Sequence, residues 1–65
     1  MIRVNGQNIE GYEQKTLIQL LNNLQFDTTK IAVEKNGEIV PKSQYDTVIL
    51  NESDVLEVVS FVGGG

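Results

Sequence analysis

No cysteine, no histidine and no tryptophan occur among the 65 residues of this chain, and proline occurs once. Without thiols or imidazoles there can be no disulfide, no thiolate nucleophile, no histidine base and none of the usual soft-metal ligands, so much of enzyme chemistry is removed at once. Basic residues are scarce too: Arg3, Lys15, Lys30, Lys35 and Lys42 stand against 9 acidic side chains, giving a formal net charge of −4 and a pI near 4.4. They are scattered, which argues against a phosphate-binding surface of the kind nucleic-acid readers build from clustered Lys and Arg. A protein partner with a basic docking face suits this charge better, although a mildly acidic surface is also an ordinary solubility device. Long apolar runs are missing as well. Val48-Ile49-Leu50 is as long as any aliphatic run, far short of the roughly 20 residues that a membrane-spanning helix needs. Met1-Ile2-Arg3 leads straight into a strand-like pattern, so no cleaved leader is expected and the cytoplasm is the expected compartment. Asn51-Glu52-Ser53 spells a glycosylation acceptor, a weak signal that has no secretory context here.

What is present is enough for one small core, since a domain of about 60 residues buries about 60% of the surface of its unfolded chain. Ile2-Arg3-Val4 and Asn8-Ile9-Glu10 flank Asn5-Gly6, and Asn-Gly is the preferred pair for a two-residue type I′ turn, whose central positions both need positive φ. That register sets Ile2 opposite Ile9. After Gly11 the period changes: Leu17, Leu20, Leu21 and Leu24 fall at i, i+3, i+4 and i+7, the stripe of an amphipathic helix. Thr16 is a natural N-cap, and Gln19 three residues on completes a capping-box spacing. Continuing this helix to Phe26 would aim the ring at solvent, so it is expected to stop near Leu24 or Gln25, with Phe26 folding back as a plug in the core.

Ile31 to Lys35 and Glu38 to Val40 flank a second Asn-Gly, Asn36-Gly37, which predicts another tight hairpin with Lys35 and Glu38 as a cross-strand ion pair. Pro41 ends that strand because it has no N–H to donate. A short turn or 3₁₀ segment is expected over 42–46 with Tyr45 laid over the core edge, then a short strand Thr47 to Leu50, a turn at 51–54, and a long last strand Val55 to Val62. The expected fold is therefore α+β: a mixed sheet of about five strands with one main helix on one face, joined by a right-handed crossover, which is a ubiquitin-like β-grasp arrangement. Residues 1–62 read as a single domain and residues 63–65 as a flexible glycine tail.

The abrupt change from Val58-Val59-Ser60-Phe61-Val62 to Gly63-Gly64-Gly65 is the feature that carries chemistry. A run without side chains can extend from a rigid body into a narrow cleft with nothing to obstruct it. Taken with the hairpin-helix-hairpin order and the segment Asn36-Gly37-Glu38-Ile39-Val40-Pro41, the ending Phe61-Val62-Gly63-Gly64-Gly65 resembles that of the ThiS-type sulfur carriers of thiamin biosynthesis. The resemblance covers nearly the whole chain, including its length. The third glycine departs from it, since many relatives end in two, and Gly63 then reads as an added spacer.

The resemblance implies a protein-bound substrate and sulfur donor, not a catalyst. The Gly65 carboxylate would be adenylated by an E1-like adenylyltransferase that uses ATP and Mg²⁺, then converted to a thiocarboxylate with sulfur from a persulfide donor. A thiazole synthase would take that sulfur for the thiazole ring of thiamin. Gly63, Gly64 and Gly65 would enter the partners' active sites, and the chain itself would bind no cofactor or metal. Other uses of the same ending stay open: a ubiquitin-like modifier conjugated through its terminal glycine, a sulfur carrier for another pathway such as molybdopterin synthesis, or a β-grasp adaptor whose tail is inert.

The remaining constellations read as structural. Glu52, Asp54 and Glu57 lack the length and glycine placement of an EF-hand loop, and no phosphate-loop spacing accompanies either Asn-Gly pair. In the last strand, parity places Leu56 and Val58 toward the helix and Val59 and Phe61 on the open face. An apolar pair on an open face near a reactive end is a candidate partner-docking patch.

Overall fold

The computed structural model describes residues 1–61; Val62 and the three glycines, and with them the expected domain boundary and tail, lie outside the described residues. Both Asn-Gly pairs form the turns their chemistry demands. Asn5 and Gly6 have φ of 51° and 84°, and Asn36 and Gly37 have 54° and 86°, the doubly positive geometry that relaxes a two-residue hairpin. A Cβ built on either glycine would meet nothing within 4 Å, so these positions need glycine for its backbone angles and not for space. The turns join β1 (Ile2–Val4) to β2 (Gln7–Ile9) and β3 (Ile31–Lys35) to β4 (Glu38–Val40). Ile2 stands opposite Ile9 and Lys35 opposite Glu38, in the expected registers.

Helix α1 (Leu17–Asn23) starts at the expected cap: the Gln19 amide donates to the Thr16 hydroxyl at 3.2 Å and the Thr16 amide to the Gln19 side chain at 2.9 Å. It stops at Leu24 through a Schellman motif, in which the Gln25 amide donates to the Asn22 carbonyl and the Phe26 amide to the Leu21 carbonyl, both at 3.0 Å. Phe26 then packs half-buried against the core.

Strand β5 (Val55–Ser60) runs parallel to β1 and antiparallel to β3, so the order β2-β1-β5-β3-β4 puts the last strand in the centre of a mixed five-stranded sheet. Leu17, Leu20 and Leu21 lie over one face and close a core with Ile2, Val33, Leu50 and Leu56 in which none of the seven retains exposed surface.

Two expectations are corrected. Thr47 to Leu50 is not a strand; after the 3₁₀ turn Lys42–Gln44 the segment makes one isolated bridge, Ile49 to Thr16. Its carbonyls serve the helix instead: the amides of Leu17 and Ile18, which have no partner within α1, donate to Val48 and Tyr45 at 2.9 and 2.8 Å. Lys35 does not pair with Glu38 either. Its ammonium lies 3.8 Å from Asp54, a carboxylate only 6% exposed, which also accepts from Asn36 at 3.0 Å and from the Asn51 amide at 2.8 Å. A buried charge gains more from a cation than an exposed one does.

Gln25, exposed and at the C′ position of α1, sits at φ 66°, a conformation that costs an L-residue about 1–2 kcal/mol. Gln25→Gly removes that strain and loses part of the gain to the freer unfolded chain. Urea unfolding should show a net stabilisation of about 0.5 kcal/mol; a lower midpoint would mean the Gln25 side chain makes a contact worth more than the strain.

Candidate functional site

A strand paired along both edges has its direction and register set twice, and β5 is held more firmly still by two side chains. The Asn5 carboxamide accepts from the Val58 amide at 2.7 Å and donates to the Val58 carbonyl at 3.1 Å, extending the β1 ladder past its own turn. From the other edge, the Asn36 side-chain oxygen accepts from the Val55 amide at 2.9 Å, while its NH₂ donates to Asp54. The chain that leads to the glycines thus leaves the most restrained strand of the sheet.

At the end of that strand the Phe61 amide donates to the Lys30 carbonyl at 2.9 Å. The loop that offers this carbonyl is shaped by Asp27, whose carboxylate accepts from the Thr29 hydroxyl at 2.6 Å and the Thr29 amide at 3.0 Å. These two bonds hold the Asp27 carboxyl below its ordinary value. Because the folded value is the lower one, the support this loop receives is present above the ordinary carboxylate range and is lost as pH falls through the folded value. Lys42 completes the arrangement. Its ammonium donates to the Thr29 carbonyl at 2.9 Å and stands 5.6 Å from the centre of the Phe61 ring, within range of a cation–π attraction. Nearby Tyr45 lies at the core edge, and burial pushes its phenol up.

Val59 and Phe61, the expected docking residues, are 62% and 46% exposed; Val59 lies on the face opposite the buried Leu56 and Val58 by the alternation of β5, and Phe61 follows just past the end of that strand. Gly63, Gly64 and Gly65 lie outside the described residues. The open face holds more than sequence parity revealed. Ala32 pairs with Val59, and Glu34 stands directly between Glu57 on one neighbouring strand and the exposed Ile39 on the other. Two carboxylates facing each other across a ladder repel; no ion pair joins either of them to a cation among the described residues. The face is therefore apolar at the Val59 end and acidic beside it, a combination suited to a protein partner that brings both apolar and basic groups. Among the described residues no group of three carboxylates converges to hold a metal ion.

The ThiS family model matches residues 2–65. The sulfur carrier protein ThiS of Bacillus subtilis is 39% identical over the full length of both chains. A thiazole synthase of Paramagnetospirillum magneticum is 47% identical over 62 residues, which are 95% of this chain and 19% of that protein; the chain thus spans about a fifth of the length of this curated relative. Among solved structures, the crystal structure of the thiamine biosynthesis protein ThiS from Geobacter metallireducens superposes with a TM-score of 0.79 at 30% identity, covering 98% of this chain and 97% of the other.

An exposed ring held by one cation contributes little to folding. Phe61→Ala should lower unfolding free energy by less than ~1 kcal/mol in urea titration; a loss of several kcal/mol would place the ring in the core and take it off the open face.

Proposed function

The chain belongs to the ThiS family, and from that premise we propose that it carries sulfur as a thiocarboxylate on Gly65 and delivers it for the thiazole ring of thiamin. The observation that carries this reading is the family match running from Ile2 through the terminal glycines, on a fold whose central strand leads directly into them.

The chemistry follows from the carboxylate. It is a poor electrophile, since its charge is delocalised and the leaving group would be oxide. Transfer of AMP from ATP, with release of pyrophosphate, turns that oxygen into part of a good leaving group. The terminal sulfur of a persulfide then attacks the acyl carbon and expels AMP. A second thiol cleaves the resulting acyl disulfide, is itself oxidised to a disulfide, and leaves sulfur on the carrier. The only nucleophile these steps ask of the chain is the terminal carboxylate itself, which attacks the α-phosphorus of ATP; no side-chain nucleophile or base is needed, in keeping with a sequence that holds no Cys or His. An E1-like adenylyltransferase supplies ATP and Mg²⁺ binding, a persulfide enzyme supplies sulfur, and a thiazole synthase consumes it. Support for the last partner is the thiazole synthase that contains a stretch similar to this chain within one polypeptide. No helix among the described residues is long and apolar enough to cross a membrane, and we place the reaction in the cytoplasm with its ATP supply.

The first partner docks on the open face. Its basic groups meet Glu34 and Glu57, its apolar surface covers Val59 and Phe61, and the tail root held by Lys42 and Lys30 is thereby aimed into its cleft. Phe61→Ala should weaken that binding by about 1 kcal/mol or more, as for an aromatic anchor; unchanged affinity in calorimetry would remove the ring from the interface.

Intact-mass measurement on protein produced together with an activating enzyme and a sulfur donor tests the reading directly. One oxygen exchanged for sulfur at Gly65 is the expected result. Conjugates to lysine would point to a modifier, and an unaltered terminus to an adaptor. Deleting Gly65 should leave folding intact and abolish or sharply reduce the exchange, because the carboxylate moves by up to ~3.5 Å where reaction geometry is sensitive to about 1 Å. Exchange at the normal rate in the shortened chain would transfer the role away from Gly65.

A further inference from the structure

The sulfur chemistry leaves unused the most reactive amides in the chain. Where glycine follows asparagine, the glycine nitrogen has no neighbouring Cβ to hinder its attack on the asparagine side-chain carbonyl carbon. Ammonia leaves as a five-membered succinimide closes, and water opens the ring to aspartate or isoaspartate. The net change is hydrolysis of an amide to a carboxylate and ammonium, with no redox partner. Of the six asparagines, only Asn5 and Asn36 precede glycine.

Ring closure requires the side-chain carbon to swing onto the next backbone nitrogen. In the fold both carboxamides are bound at both ends, and ring closure requires these bonds to break. Asn5 is bound to the amide and carbonyl of Val58, and Asn36 to the Val55 amide and the Asp54 carboxylate. A Cβ on Gly6 or Gly37 would meet nothing within 4 Å, so packing around the glycines does not protect the turns, and the bonds of the carboxamides do so together with the hairpin backbone. We propose that Asn5 and Asn36 are latent deamidation sites that their hydrogen bonds to β5 and Asp54 shield in the native state and that unfolding releases. An unfolding episode is then recorded covalently at the two clamps of the central strand.

The record also weakens the structure that bears it. Hydrolysis at Asn36 replaces the NH₂ donor facing Asp54 by a carboxylate oxygen, setting two like charges where a 3.0 Å hydrogen bond had been. Lys35, 3.8 Å from the other Asp54 oxygen, is the one cation paired there among the described residues. At Asn5 the donor to the Val58 carbonyl becomes an acceptor, and two acceptors cannot share a bond. Isoaspartate adds a methylene to the backbone and destroys the turn geometry as well.

The full chain, incubated in mildly alkaline buffer with and without urea and read by peptide mapping, tests this. Conversion at residues 5 and 36 should be at least about tenfold slower in buffer, since it must await local opening, with Asn8, Asn22, Asn23 and Asn51 unchanged in both. Equal rates in the two conditions would overturn the shielding. In buffer, Asp54→Ala should speed conversion at Asn36 relative to Asn5 by freeing one end of its carboxamide. An equal rise at both positions would assign the protection to global folding and overturn the role of the side-chain bonds. Finally, Asn36→Asp should unfold at lower urea concentration than the parent; an unchanged midpoint would refute the weakening.

Discussion

The burial of Leu17, Leu20 and Leu21 with Leu56 and Val58 is the contact on which the rest of the structure depends. Each such side chain contributes about 1.5–3 kcal/mol when it leaves water. The exposed pairing of the Met1 ammonium with Glu13 and Glu52, at 3.8 and 3.7 Å, contributes at most about 1 kcal/mol. A seven-residue helix has one apolar stripe and closes one face of the sheet. Among the described residues the other face stays open, with no second element laid over it.

The same burial explains why the last strand is the central one. β5 supplies Leu56 and Val58 to the helix and is gripped by β1 and β3 along its edges, with Asn5 and Asn36 reaching it from two different turns. One residue type therefore serves twice in each hairpin: its backbone adopts the positive φ of the turn and its carboxamide completes the ladder of a strand far away in sequence. At Phe61, the last described residue, the Lys30 carbonyl and the Lys42 ammonium hold the chain from the side.

The local elements were legible because local chemistry decides them. Asn-Gly turns need positive φ, the Thr16–Gln19 box satisfies backbone donors within four residues, and period-2 parity separates Val59 and Phe61 from Leu56 and Val58. Val48-Ile49-Leu50 misled for a reason of the same kind: an apolar run carries no sign of where its carbonyls will find donors, and these found the start of a helix 31 residues upstream (Val48 to Leu17). In sequence Asp54 is one of several carboxylates in and beside a turn, with nothing to set it apart from Glu52 and Glu57. Its burial among Asn36, Asn51 and Lys35 depends on a hairpin docking beside that turn.

By itself the amino-acid sequence determined the two turns, the helix and both of its ends, the inward and outward sets of the last strand, and the glycine ending that marks the family. Each rests on neighbours within a few residues or on a period. The tertiary structure alone decided that β5 is central, that Glu34 opposes Glu57, that Lys42 stands beside Phe61, and that Asn5 and Asn36 close on β5. Those contacts join residues from 19 to 53 positions apart (Asn36 to Val55, Asn5 to Val58), and a pairing at such separation is selected by the burial of the whole core, to which no short stretch of sequence has access.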